Sequence, residues 1–130
     1  VEVSLALARG YLFKHQFHET QKLLYDLQSI IENADGHLIN MYFDTVIQVK
    51  YRSADDLARS GEYEKALVSL EEMRERFETL DDKYKDRYLK QKLNKCRVTM
   101  NKVSRNIQES YRERVDRLEK WIASESISSG

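Results

Sequence analysis

No proline occurs anywhere in this chain of 130 residues, and glycine stands at only four positions: Gly10, Gly36, Gly61 and Gly130. Proline and glycine end helices and shape tight turns, so long stretches without either favour continuous helix. A sandwich or barrel needs turn residues at the end of every strand, and this chain does not supply them. With 34% charged and 41% apolar residues, the composition predicts an all-α domain with a modest core, and the length suits one domain rather than two.

The apolar spacing places the helices. Residues 2–14 carry Val3, Leu5, Leu7, Ala8, Tyr11 and Leu12, a helical rather than an alternating pattern. His15 and Gln16 turn the chain into a second helix carrying Phe17, Leu23, Leu24, Leu27, Ile30 and Ile31. Asn33-Ala-Asp-Gly36 ends it, because Asn, Asp and Gly supply turn conformations. A third helix is expected from Leu38 to Arg59 and a fourth from Tyr63 to Leu80, separated by Ser60-Gly61-Glu62. Beyond Asp81 the stripe Leu89, Leu93, Cys96, Met100, Val103, Ile107, Tyr111, Val115, Leu118, Ile122 runs at steps of three and four. It predicts a long helix over about 81–123, about 65 Å long at ~1.5 Å per residue if unbroken, with two helices divided near Ser104-Arg105-Asn106 as the alternative. The polar tail 124–130 is expected to fray. One domain over 1–123 follows, with hairpins at about 2–33 and 38–80.

Two stretches match at a fixed offset. Ala8, Tyr11, Phe17, Thr20, Leu24 and Leu27 correspond, 46 residues on, to Ala54, Leu57, Tyr63, Ala66, Leu70 and Met73. Small residues let two helices approach, and an aromatic just past the turn fills the gap between them. The second copy, Ala54-x-x-Leu57 followed by Ser60-Gly-Glu-Tyr-Glu-Lys-Ala-Leu67, resembles the core of a tetratricopeptide (TPR) repeat, and residues 5–31 resemble a weaker copy. The resemblance covers about 2–78. It departs from the family in its 46-residue period against about 34, in Ser4 and Lys50 at the early Trp-like position, in Leu27 and Met73 at the late small position, and in lacking the closing proline. Elongated helices would absorb the extra residues.

A second resemblance covers residues 50–107. The Gly61-x-Tyr63-x-x-Ala66-Leu67 turn, followed by a basic helix containing Tyr88-Leu-Lys-Gln-Lys-Leu93, is similar to the three-helix MIT domain of katanin-type microtubule-severing proteins. That likeness implies binding of short helical motifs or acidic tubulin surfaces. Subunits of vesicle-tethering complexes carry similar hairpins.

The TPR resemblance implies that the first helices of successive repeats line a groove for a partner segment. Carried over by the repeat alignment, it puts Leu5, Arg9, Leu12 and Phe13 on that groove from one hairpin, and Tyr51, Asp55, Ala58 and Arg59 from the next. Arg guanidiniums at the groove would suit carboxylates. The competing reading makes the apolar members packing residues.

Zero net charge, from 22 basic and 22 acidic residues, hides an asymmetry. Residues 1–80 hold nine basic against fourteen acidic side chains. Residues 83–105 hold Lys83, Lys85, Arg87, Lys90, Lys92, Lys95, Arg97, Lys102 and Arg105 against Asp86 alone. Such a block is a solvated helix face or a surface for an acidic protein or peptide, with Lys85, Lys92 and Lys95 as candidate contacts. The neutral overall balance argues against nucleic acid. No apolar run approaches the ~20 residues of a membrane span.

Catalytic chemistry finds little support. His15-x-x-His18-Glu19 straddles a turn and has no third metal ligand nearby. Cys96 lies on the apolar stripe, where a small buried hydrophobe is expected rather than a nucleophile. One cysteine makes no internal disulfide, which fits a reducing compartment; no basic-then-apolar leader points to export; and a start at Val1 suggests an excerpt. The expectation is therefore a non-catalytic, cofactor-free, cytoplasmic interaction module. It binds another protein, and the 3–4 spacing of its C-terminal helix permits a short coiled coil with a second chain.

Overall fold

A computed structural model describes residues 1–85 and 87–127; nothing is said of the side chains at 87, 88, 126 and 127. The described residues form α-helix and one-turn 3₁₀ segments, with no strand among them. The all-α expectation is met. Seven α-helices are described: α1 Glu2–Phe13, α2 Phe17–Leu27, α3 Gly36–Arg59, α4 Tyr63–Glu78, α5 Arg87–Asn94, α6 Cys96–Asn106 and α7 Arg112–Ile127. Single 3₁₀ turns lie at Ile31–Asn33, Asp82–Tyr84 and Glu109–Tyr111.

The chain divides into two compact units, Val1–Val49 and Lys50–Gly130, and the division falls within α3. The physical reason is that each half closes a core of its own. In the first unit α1 packs on α2. Leu5, Ala8 and Leu12 of α1 and Thr20, Leu24 and Leu27 of α2 are buried. The first part of α3 adds Ile39 and Tyr42, whose hydroxyl donates to the Leu24 carbonyl at 3.3 Å. Asp35 starts that helix by accepting the Leu38 N–H on its carboxylate at 3.2 Å, which satisfies one of the free donors of the first turn.

In the second unit α4 buries Ala66, Leu67, Leu70, Met73 and Phe77. It packs on α6 and α7, and α7 packs on α5 and α6. The end of α3 is tied to α4 through the Ser69 hydroxyl, which donates to the Lys50 carbonyl at 2.8 Å. Phe77 meets the edge of Trp121, their ring centroids 5.8 Å apart, in a geometry the ring quadrupoles favour.

The expected helix over 81–123 is broken into α5, α6 and α7. At the first break the Lys95 N–H reaches only to the Lys92 carbonyl, at 3.1 Å, making one tighter turn. At the second, Ile107 and Gln108 are both extended, with ψ of 151° and 153°. Asn106 donates its side-chain amide to the Lys102 carbonyl at 2.7 Å, competing with the helix ladder. Arg112 then reaches back to the carbonyl and hydroxyl of Ser104, at 3.0 and 2.9 Å. These bonds fold α7 onto its predecessors, and Val115, Leu118, Trp121 and Ile122 are buried. The stripe expected to offer a coiled-coil seam is spent inside the unit. Burying it locally removes it from water without a second chain. The tail 124–130 also differs: α7 continues to Ile127, since Ser124–Ile127 contains no helix breaker, and 128–130 lie outside the described residues.

The 46-residue offset survives as geometry. Both turns are Schellman motifs, with a left-handed residue after the helix. The first turns at His15, φ 58°, with Gln16 N–H to Tyr11 carbonyl at 2.9 Å and His15 N–H to Leu12 carbonyl at 3.0 Å. The second turns at Gly61, φ 81°, with Glu62 N–H to Leu57 carbonyl at 2.9 Å and Gly61 N–H to Ala58 carbonyl at 3.1 Å. The next residues, Gln16 and Glu62, have φ/ψ of −96°/74° and −91°/67°. Ala8 and Ala54, Thr20 and Ala66, Leu24 and Leu70, and Leu27 and Met73 are buried alike. Tyr11 and Leu57, and Phe17 and Tyr63, are half-buried alike.

Candidate functional site

The expected groove residues fall in different units: Arg9, Leu12 and Phe13 in the first, Tyr51, Asp55 and Arg59 in the second. Arg9 and Asp55 occupy equivalent repeat positions, and each is bound to a later helix of its own unit. Arg9 Nη1 donates to Asp44 Oδ2 at 3.0 Å and to Thr45 Oγ1 at 3.1 Å. Gln48 adds a bond to the same Asp44 oxygen at 2.7 Å. Asp55 accepts from Thr99 Oγ1 at 3.0 Å and pairs with Arg59 at 3.0 Å. Both residues therefore act as internal brackets. The side chain differs in sign between the copies, while the threonine partner on a later helix is the same residue type.

Leu12 is fully buried, so it packs and presents no binding surface. Tyr51 is half-buried. Phe13 and Arg59, again equivalent positions, end α1 and α3 and are exposed, Phe13 at 54% and the Arg59 side chain at 69%. They are the members of the expected set best placed to meet a partner. The Arg9 guanidinium lies over the Phe13 ring at 5.7 Å.

The basic segment is spread over several elements. Lys85 precedes α5 with its ammonium 5.6 Å from the Phe77 ring centre, a cation–π contact. Lys92 is half-buried on α5, and Lys95 is exposed between α5 and α6. Asp86 and the side chains of Arg87 and Tyr88 lie outside the described residues.

From the basic block the sequence singled out Lys85, Lys92 and Lys95, none of which lies on α6. Cys96, Thr99, Met100 and Val103 face inward. The opposite face carries Val98, 69% exposed, with Asn101, Lys102 and Arg105 at helical spacing. These residues and Asn106 line a depression of about 330 Å³. Asn101 also borders a second depression of about 270 Å³, lined by Arg97, Met100, Glu119, Ile122 and Ala123 of α6 and α7. Val98 was the available clue: it lies off the buried stripe, where a solvated helix would carry a polar residue. The α7 wall had no such clue, because it depends on the fold-back.

Lys95, Lys102 and Arg105 form no ion pair among the described residues. Elsewhere in the same unit Lys50, Arg59, Lys65, Arg74, Arg112 and Arg114 each meet a carboxylate. Arg114 makes a two-point contact with Glu71, and that hydrogen bond holds its pKa above the ordinary value.

Cys96 is buried, and its Sγ lies 3.7 Å from Met73 Sδ. Burial pushes the thiol from 9.0 up to about 12, the reverse of what a nucleophile needs. His15 sits in the turn with its ring edge-on to Phe17. Among the described residues no cluster of three His, Cys, Asp or Glu side chains is placed to hold a metal ion, and no helix is long and apolar enough to cross a membrane. Compared with protein-family models, curated proteins and solved structures, the chain matches none significantly.

Proposed function

We propose that this chain is a non-catalytic protein-interaction module, a TPR-like pair of elongated helical hairpins that presents side chains to a segment of a partner protein. The observation that carries this reading is the recurrence, 46 residues apart, of one turn with the same backbone bonds and the same burial pattern. A repeated corner places equivalent residues in equivalent local settings, as Phe13 and Arg59 are, each in its own unit, and exposed residues so placed are suited to contact a partner.

The test is a peptide-display screen against the intact chain, followed by titration of each selected peptide. Saturable binding to a folded chain supports the reading. Failure to select any saturable peptide, with helical circular dichroism intact, overturns it. An MIT-like adaptor is the second reading, favoured by the compactness of Lys50–Gly130 as a unit. A fragment starting at Lys50 that stays folded and binds microtubules would favour it over the repeat module.

A further inference from the structure

Helix α1 is apolar on both sides. Its inner face, Leu5, Ala8 and Leu12, is fully buried. Its outer face carries Val3, Ala6, Leu7, Gly10 and Phe13 at helical spacing, and all five are exposed, Val3 at 82%, Phe13 at 54% and Leu7 at 50%. Between Val3 and Phe13 the one charged residue is Arg9, which is turned to Asp44. A surface helix ordinarily carries polar residues opposite its core. The second copy of the corner shows that ordinary case. Forty-six residues on from Ala6, Leu7, Gly10 and Phe13, α3 carries Arg52, Ser53, Asp56 and Arg59. We infer that the outer face of α1 docks on a second copy of this chain, α1 against α1, antiparallel about a two-fold axis level with Ala8.

The order of the side chains selects this occupant. Reversed and laid on itself, the face sets Glu2 against Lys14, Val3 against Phe13 and Ala6 against Gly10. Opposite charges meet at both ends, bulky residues meet inside them, and small residues meet near the centre, where two backbones come closest. A two-fold interface needs such self-complementarity, because every contact is made twice. Parallel pairing would instead set Glu2 on Glu2 and Lys14 on Lys14. Gly10 is an independent observation. Glycine is a weak helix former, Gly10 is not in the left-handed region, and an added Cβ there meets nothing within 4 Å. Its own chain gives no reason for glycine at this position, whereas close approach of a second backbone does. A lipid surface is disfavoured, since such helices carry a basic rim and α1 with its cap holds only Arg9 and Lys14. The face is about 18 Å long at ~1.5 Å per residue, so the interface falls below ~1,200 Å², the range of weak association.

Sedimentation equilibrium of the full chain, over about 5–500 μM, tests this; a dimer with a Kd of about 10 μM or weaker is expected. Leu7→Glu should weaken it about tenfold or more, because it buries a charge at the axis. Gly10→Gln should weaken it by a similar factor while raising the Tm, since glutamine is the better helix former. A role confined to the monomer would not split those two readouts. Glu2→Lys and Lys14→Glu should each weaken the dimer about threefold at low salt, and mixing the two variants should restore it as a heterodimer. Val98→Glu, on an exposed apolar residue of α6, should leave it within about twofold. All these positions are exposed, so circular dichroism should not change. A monomer at every concentration, or a dimer indifferent to Leu7→Glu and Gly10→Gln, overturns the inference. So does a dimer that neither charge reversal weakens, or binding of phosphatidylserine vesicles that Leu7→Glu abolishes in a chain that stays monomeric. Self-pairing does not depend on peptide binding. Selected peptides that bind a strictly monomeric chain leave the interaction module standing while the dimer falls, and a dimer that selects no peptide does the reverse.

Discussion

At the corner between α1 and α2 the chain turns through His15 at φ 58°, and at the corner between α3 and α4 it makes the same turn through Gly61 at φ 81°. The two Schellman bonds are the same, and the helix before each corner stops, and the helix after it starts, at matching positions. The residues are not. The first corner uses a side chain that ordinarily avoids the left-handed region, and the second uses the residue that enters it freely. At the next matched pair, Leu12 fills a volume in the first unit that Ala58 leaves to its neighbours in the second. At a third, Arg9 and Asp55 bracket a later helix with opposite charges. The comparison teaches that the backbone corner is the repeated element, and that each unit has fitted its own side chains around it.

The largest expected effect tests the volume difference. Leu12→Ala should destabilise the chain by about 3 kcal/mol, because it opens a cavity in a fully buried site. Ala58→Leu should cost roughly 1–3 kcal/mol by overpacking. Urea unfolding followed by circular dichroism reads both. The only tryptophan, Trp121, lies in the second unit and gives that unit its own fluorescence signal. If Leu12→Ala were neutral, the first unit would lack the tight core assigned to it.

The brackets come next. Arg9→Ala leaves Asp44, which is 5% exposed, without its cation, and should cost about 2 kcal/mol. Asp55→Ala removes a more exposed acceptor and should cost about 1 kcal/mol. A reversed order would mean that the two brackets are not equivalent in kind.

Only the second unit carries a thiol, so one pH dependence should be confined to it. The folded state holds the Cys96 proton up to about pH 12, whereas the unfolded thiol ionises near its ordinary 9.0. Stability from this group is therefore complete below about pH 9 and declines as pH rises toward 12. The loss is roughly 1.4 kcal/mol by the first unit above the unfolded value. Cys96→Ala should lack that component. Around pH 8, thiol reagents should react with native Cys96 far more slowly than with the urea-unfolded chain.

The smallest effect concerns the corners themselves. Gly61→Ala should cost about 1 kcal/mol through backbone strain alone, since an added Cβ meets nothing within 4 Å. His15→Gly should gain less than that, because it also gives up the ring contact with Phe17. Equal and opposite changes would show that the ring contact contributes nothing.

Absence of proline, helical spacing and the 46-residue offset determined by themselves that the chain is helical, where α1 to α4 lie, and that one corner is made twice. Those are local matters: propensity, periodicity and turn chemistry act within a few residues. Tertiary structure decided the rest. The stripe from Leu89 to Ile122 fits a straight helix and a folded one equally well. The side-chain bonds of Asn106 and Arg112, with burial against α4, α5 and α6, chose the folded form. Arg9 and Asp55 became internal contacts because a later helix of their own unit reached them, and the fold-back of α7 built the α6–α7 depression from residues distant in sequence. Periodicity records which face of a helix is apolar; which neighbour covers that face depends on where the chain turns back.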